Sequence, residues 1–301
     1  MWNGILLAGL ALAIAVVASV FLAKRAQHDR YVETLVGNLS TASTPHLDRV
    51  VRPTDWAGLP APVQRYFAHV LPDGTPYSES VTLRQEGTFR DGDTPSAPWS
   101  PFTATQHVTL RPPGFVWDAT IRMTLGIPVR VLDAYHDGRG ILRAALGGAV
   151  TVMDATSSAM LDEGELLRYL AESPLYPTAL LPGMGVEWTP IDDRSARATL
   201  TDRGTTASLV FTFNDRNEVA RVRGTRGFLT DDETCESRIW TGYWRHYEER
   251  KGRRVPTSGE VSWIHPAGEV SYWRGRISHV DYVTSGRSAL SLRTHSVTQL
   301  G

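Results

Sequence analysis

Few residues in this sequence have the type and spacing for acid–base chemistry, and one pair of them has helical spacing. Glu165 and Tyr169 lie four residues apart, so a helix places both side chains on one face. If that face looks into an apolar groove, burial raises the pKa of the Glu165 carboxyl and suits it to act as a general base. A first-turn glutamate that favours the helix dipole, with Tyr169 packed below it, explains the pair without catalysis and is the preferred interpretation.

A second group of candidate acid–base residues lies on the predicted strands. Asp118 follows Trp117 in an alternating stretch, where it fits the polar face of a strand as well as a catalytic carboxylate. Further along, strand alternation sends Asp133, Tyr135 and Asp137 to one face and His136 to the other. These four side chains therefore cannot converge without a bulge, and a polar strand end running into a hairpin is the preferred interpretation.

Motifs of well-known site classes are absent from the sequence. The nine histidines show no HxH or HExxH spacing, and there is no GxSxG, Walker or GxGxxG motif. We therefore expect no metal and no cofactor, and assign no catalytic residue; Glu165, Asp118 and Tyr169 remain weak candidates.

Composition excludes two further classes of protein. Among 301 residues, 31 Lys plus Arg against 32 Asp plus Glu give a net charge of -1, which argues against a nucleic-acid partner. The single cysteine, Cys235, excludes an internal disulfide framework and any site built from several cysteines.

Aromatic residues crowd the last third of the chain, where they fit strand cores, a groove for an apolar ligand, or rings at the depth of lipid headgroups. On a regular strand Trp240 and Trp244 point the same way, as do Tyr243 and Tyr247, which favours a cavity on at least one side. The predicted ligand-binding residues are Trp117, Ile121, Met123, Leu166, Leu170, Trp188, Trp240, Trp244, Trp263 and Trp273.

The elements that must position these residues are mostly strands. From about residue 79 the apolar pattern has a period of two, and Asp137-Gly138 is a strong hairpin signal. Helical patterns cover residues 60–71 and 162–172. We predict a mainly β (α+β) domain over residues 59–283, with about ten antiparallel strands in a curved sheet. An open half-barrel with helix 162–172 against its concave face is favoured over a closed barrel.

The N-terminal segment predicts a membrane anchor. Residues 5–23 carry no charge, and as a helix they measure about 28 Å, close to the roughly 30 Å hydrocarbon core. A cleavable signal peptide is the alternative, but no Lys or Arg precedes the apolar run. Lys24, Arg25 and Arg30 follow it and favour a cytoplasmic domain in a single-pass cell-membrane protein. Residues 24–58 are predicted as a juxtamembrane helix and linker, and 284–301 as a flexible tail.

Five motifs together resemble a bacterial family of membrane-anchored proteins that is catalogued only as a domain of unknown function. They lie at residues 59–66, 114–119, 128–140, 164–182 and 272–275. The similarity spans about residues 55–282 and implies no activity, substrate or catalytic residue. The pattern over residues 195–229 also resembles the periplasmic lipoprotein-carrier fold, which implies a half-barrel with an apolar groove.

Three functions follow as hypotheses. The preferred one is a membrane-anchored protein that holds a hydrophobic or lipid-like ligand in the groove. The first alternative is an enzyme that acts on a small hydrophobic substrate, with Glu165 or Asp118 as general acid or base. The second is a scaffold that binds another membrane protein through an exposed sheet edge.

Overall fold

The computed structural model describes residues 2–44, 49–90, 94–123, 126–229 and 235–284, with backbone alone at 2–11, 13, 229 and 235. Its helices are α1 (Trp2–Ala42), α2 (Ala61–Val70) and α3 (Ala159–Glu172), with 3-10 turns at Pro53–Trp56, Ser173–Leu175, Pro177–Leu180 and Pro182–Met184. Its strands are β1 (Ser80–Arg90), β2 (Trp99–Thr109), β3 (Gly114–Arg122), β4 (Pro128–His136), β5 (Arg139–Leu146), β6 (Val150–Thr156), β7 (Val186–Asp192), β8 (Ser195–Asp202), β9 (Thr205–Phe213), β10 (Val219–Leu229), β11 (Cys235–Arg250), β12 (Arg253–His265) and β13 (Gly268–Val283).

All thirteen strands of the described residues form one antiparallel sheet, which confirms the mainly β class. The strand order is β6-β5-β4-β3-β2-β1-β13-β12-β11-β10-β9-β8-β7. Its end strands β6 and β7 do not pair with each other in the described part of the chain, so the sheet stays open. The first and second halves of the chain meet where β1 pairs with β13, through ten residue pairs from Ser80–Val283 to Phe89–Trp273.

The predicted strand count of about ten is wrong, and one cause is a pair of glycines. Gly147 and Gly148 have φ angles of 61° and 77°, so they form a turn that divides residues 140–153 into β5 and β6. Two consecutive positive φ angles match the tight hairpin turn, which glycine adopts without strain. The hairpin at Asp137-Gly138 is confirmed, with φ angles of 55° and 79°.

Helix α1 runs without a break across the predicted boundary between anchor and juxtamembrane segment. Its C-terminal part covers the outer face of β3 to β5, where Leu35 and Leu39 pack against Val116 and Leu132. In the described residues, no helix has the length and apolarity that crossing a membrane requires, so the predicted transmembrane helix is not supported. The predicted tail lies outside the described residues from position 285 onward.

Helices α2 and α3 occupy the predicted positions. Tyr66 and Phe67 of α2 are fully buried, and the Tyr66 ring lies 5.5 Å from that of Phe213. Helix α3 begins three residues before the predicted start because the Ser158 hydroxyl accepts a hydrogen bond from the Leu161 amide at 3.2 Å and caps the helix. α3 packs between β9 and β10 on one side and β4 and β5 on the other. It therefore fills the space between two distant parts of one curved sheet.

The two tyrosines predicted to share one face of β11 lie in different environments. Between them His246 has a φ of 55°, and the pairing with β12 is interrupted at this residue while its register stays the same, from Arg245–Ser258 to Tyr247–Pro256. Tyr247 lies buried, with its hydroxyl donating to the Val219 carbonyl, whereas Tyr243 is half-buried and donates to Glu269.

Candidate functional site

The curved sheet and α3 enclose a cavity of about 430 Å³. Strands β1, β3 to β6 and β10 to β13 supply its walls, which are predominantly aliphatic and aromatic. The cavity is nearly three times the roughly 150 Å³ of an engineered apolar cavity that holds benzene, and it falls in the usual range for small-molecule sites. The interior of the sheet is therefore not filled by the protein's own side chains.

Six of the ten predicted ligand-binding residues line the cavity, and four do not. The six are Trp117, Ile121, Met123, Trp240, Trp244 and Trp273. Leu166 and Leu170 belong to the core and are fully buried against the sheet. Trp188 donates its indole hydrogen to the Leu180 carbonyl at 2.9 Å, and Trp263 stacks on Tyr272 at 6.2 Å. These four side chains lie outside the cavity lining and pack within the protein.

A continuous polar network crosses the α3 side of the cavity. Three residues of the network come from α3, and Arg168 is its centre: its guanidinium binds Asp133 of β4 and, at 2.8 Å, Glu172 one turn later. The network continues through hydrogen bonds Glu172–Gln106 (2.6 Å), Gln106–Gln85 (2.7 Å) and Gln85–Trp117 (2.8 Å). At the other end, Arg226 of β10 donates to Glu165 at 2.8 Å. The network thus ties α3 directly to β2, β4 and β10 across an apolar interior, and through Gln106 it continues to β1 and β3.

Glu165 is the most deeply buried carboxyl of this network, with 2% of its surface exposed. Burial raises its pKa well above the ordinary value of 4.5, and the nearby Asp133 carboxylate adds to the increase, against the lowering effect of Arg226 and Arg168. Within the described residues, Glu165 Oε2 and Asp133 Oδ1 are buried oxygens without a hydrogen-bond donor. A proton on Glu165 shared with Asp133 satisfies both oxygens. With that proton, the three carboxyls of the network carry two negative charges. These match the two positive charges of Arg168 and Arg226, so the network has no net charge.

A Glu165→Gln variant tests this protonation state. The amide reproduces the protonated carboxyl, since it donates to Asp133 and accepts from Arg226. Below pH 4.5 wild-type Glu165 is protonated in both folded and unfolded chains; above it only the unfolded chain ionises, until the pH reaches the raised folded pKa. In that window the wild type loses stability by up to about 1.36 kcal/mol per pH unit relative to the Gln variant.

Urea unfolding of both proteins between pH 4.5 and pH 8 provides the measurement. We expect the difference in unfolding free energy to move in favour of Glu165→Gln as the pH rises. A difference that is constant, or that moves in favour of the wild type, would show that Glu165 is ionised in the folded protein and paired simply with Arg226.

The structure does not bring the other two acid–base candidates to the cavity. Asp118 lies on the outer face of β3, where Arg130 binds both of its oxygens at 2.8 and 2.9 Å. Burial opposes ionisation of Asp118, but hydrogen bonds from His28 and Arg130 lower its pKa below the usual value. Tyr169 is buried in the core, where its ring lies 5.5 Å from that of Tyr176. Glu165 alone of the three lines the cavity.

Five charged residues that line the cavity were absent from the predicted site. Asp133 was interpreted as part of a polar strand end, and Arg168, Glu172, Arg226 and Glu260 were not singled out. One signal was available: Glu165, Arg168 and Glu172 lie at i, i+3 and i+7, which places three charges on one face of the helix, beside its apolar leucines. A helix with charges on its inward face implies polar partners on the sheet.

The cavity and its network lie in the part of the chain that a family model matches. The model, described as a family of unknown function (DUF6920), covers residues 57–282. The chain belongs to this family. The resemblance to a family of unknown function is thereby confirmed, and for this DUF6920 chain no curated protein gives a significant match.

Solved structures similar to the DUF6920 chain include a LolA superfamily protein from Nitrosomonas europaea. That protein is 11% identical, with a TM-score of 0.35, over 73% of this chain and 91% of its own. A DUF1329 family protein from Desulfovibrio piger has 10% identity and a TM-score of 0.38, over 69% and 87% of the two chains. A β-barrel-like DUF1849 protein from Brucella abortus has 10% identity and a TM-score of 0.25, over 69% and 100%.

Proposed function

We propose that the protein binds one hydrophobic or lipid-like small molecule in the cavity between α3 and the sheet. The observation that carries this proposal is the open space of about 430 Å³ lined by four indole rings, from Trp117, Trp240, Trp244 and Trp273. Well-packed protein interiors contain few voids larger than a water molecule, so an apolar space of this size is typical of a ligand site.

The polar network restricts the chemistry of the ligand. Its charged groups are paired with one another: Arg226 binds Glu165, and Arg168 binds Asp133 and Glu172. An ionic ligand group gains little from a network whose charges are already neutralised. The walls therefore provide most of the binding free energy, at about 25 cal/mol per Å² of apolar surface buried. A ligand with an uncharged apolar body fits this site.

Tryptophan fluorescence of the full chain tests the proposal directly. A fatty acid with a spin label on its acyl chain should quench the emission of the four wall indoles, and an unlabelled acyl ligand should reverse the quenching. A Trp56→Phe variant serves as the control because Trp56 packs against Phe67 of α2, outside the cavity walls, and its removal should leave the quenching of the wall indoles in place. Native mass spectrometry of the purified protein should show a co-purified lipid-like mass. The absence of both quenching and bound mass would refute the proposal.

One observation favours a second candidate function, catalysis on a small hydrophobic substrate. Glu165 combines a raised pKa with a place in the cavity lining, which is the usual setting of a general acid or base. If Glu165 is catalytic, wild type converts a bound ligand to a new mass and Glu165→Gln does not. If the protein is a carrier, both proteins release the ligand unchanged.

Membrane attachment is a separate proposal that rests on the apolar sequence of residues 5–23. We place the protein at the cell membrane, with the domain on the cytoplasmic side because Lys24, Arg25 and Arg30 follow that segment. The full chain should stay in the membrane fraction after alkaline carbonate extraction. A chain released by carbonate would refute the attachment. In a Cys235→Ser background, labelling of Ile191→Cys by a membrane-impermeant reagent added to intact cells would refute a cytoplasmic domain.

A further inference from the structure

Exposed apolar side chains gather where the cavity opens. Outside α1, six large apolar side chains of the described residues are exposed, and four of them lie together. We call these four the rim: Ile127, Val150, Val152 and Met153, which are 47%, 57%, 62% and 47% exposed. Val152 and Met153 also line the cavity, so the rim is part of its mouth. Clustered exposed apolar residues of this kind mark an interaction surface.

Helix α1 leaves the domain beside the rim. A Cβ placed on Gly147 would lie only 2.6 Å from the Phe21 ring, so this ring sits directly over the turn between β5 and β6. The same turn is tied to the neighbouring strand, because the Gly147 amide donates to the Pro128 carbonyl at 2.7 Å. Ile127 precedes Pro128 and Val150 opens β6. Phe21 and the rim therefore lie at one end of the sheet.

The chain on the other side of Phe21 is apolar. Described side chains there are largely exposed, for example Leu12 (66%), Ile14 (60%) and Val17 (68%). Lys24 and Arg25 follow Phe21 within about one helical turn, and the Arg25 stem lies over Gly148. Apolar side chains followed by basic ones are typical of a segment that leaves an anionic bilayer surface.

From this arrangement we propose that the rim docks on the lipid bilayer and that the ligand passes between the bilayer and the cavity through this mouth. The ligand route rests on the proposed binding function. Docking of the rim on the bilayer does not depend on that function. The partner of the rim is a lipid surface because the rim lies beside the apolar part of α1, next to the basic residues Lys24 and Arg25. An apolar ligand that uses this route avoids transfer through water, which is unfavourable for every CH₂ group that it exposes.

The test uses the full chain in vesicles of phosphatidylcholine and phosphatidylglycerol. In a Cys235→Ser background, Ile127→Cys or Val152→Cys carries an environment-sensitive fluorophore, NBD. The matched control is Ile191→Cys on β7, a residue that is 48% exposed against 47% for Ile127 and lies away from the rim. The exposure of these side chains leaves room for the label without repacking. Lipids spin-labelled on the acyl chain act as quenchers.

We expect NBD at positions 127 and 152 to emit at shorter wavelength and to be quenched several-fold more strongly than NBD at position 191. Equal, weak quenching at all three positions would overturn the docking. A shift to shorter wavelength without quenching by lipid would also overturn it, because protein, such as a second copy paired along β6, would then cover the rim. Acyl-probe binding by the unlabelled wild type in the same vesicles separates the two proposals: binding with an undocked rim rejects only the docking, and a docked rim without binding rejects only the ligand function.

Discussion

Replacing Ala144 with Trp should weaken ligand binding at least about tenfold while leaving the protein folded. Ala144 lies on β5 opposite Val131 of β4, in the middle of one cavity wall, and its side chain faces the open space. An indole at this position occupies space that the ligand needs. Loss of contact with only two CH₂ groups removes about 1.6 kcal/mol, which exceeds the 1.4 kcal/mol of a tenfold change in Kd. Because the indole enters a void, it does not overpack the core.

Equilibrium dialysis with a radiolabelled fatty acid measures the effect without using tryptophan fluorescence. Thr103→Trp is the matched control. Thr103 is exposed on the outer side of β2, so the substitution adds the same indole outside the cavity. We expect wild-type affinity for this control and near-wild-type thermal unfolding for both variants. Unchanged affinity of a folded Ala144→Trp protein would place the ligand elsewhere.

Much of the fold could be predicted because alternation and turn chemistry are local. Phe115, Trp117 and Ile121 alternate in the sequence and do face the interior. The positive φ of His246 could not be predicted, because this backbone conformation at a non-glycine residue depends on its partner strand, here the Ser258 hydroxyl 2.7 Å from the imidazole. Packing of α1 on the outer face of β3 to β5 is likewise a long-range contact that no periodicity encodes.

The cavity walls could be predicted in part and the polar network could not. Trp240 and Trp244 were identified because large aromatic residues of one strand face point to a common space. Asp133 and Arg226 lie 93 positions apart in the sequence, and they meet at Glu165 only because the sheet curls around α3. Charged residues on strands usually indicate a solvent-exposed face, so their inward position becomes visible only when the sheet's curvature is known.

The largest effect on stability should come from Arg168→Ala. This guanidinium binds Asp133 and Glu172 and lies 5.0 and 4.9 Å from the ring centres of Phe115 and Trp117. Burial alone would lower its pKa, but Glu172, Asp133 and Glu165 raise it, so it stays charged. Its removal leaves two largely buried carboxylates without a cation, a change that typically costs 3–5 kcal/mol. In a chain of this size we expect a fall of about 10 °C in Tm.

Arg194→Ala is the control, because it also removes an arginine from an ion pair, but from an exposed pair and not a buried one. Arg194 binds Asp215 at 2.7 Å, but the two side chains are 69% and 80% exposed, and an exposed pair contributes about 0–1 kcal/mol. Scanning calorimetry should therefore separate the two variants clearly. The triple variant Asp133→Asn, Arg168→Met, Glu172→Gln removes the charges together and should recover most of the loss, because no unpaired carboxylate remains. If Arg168→Ala unfolds at the temperature of Arg194→Ala, water reaches the network and α3 is held to the sheet by its apolar contacts alone.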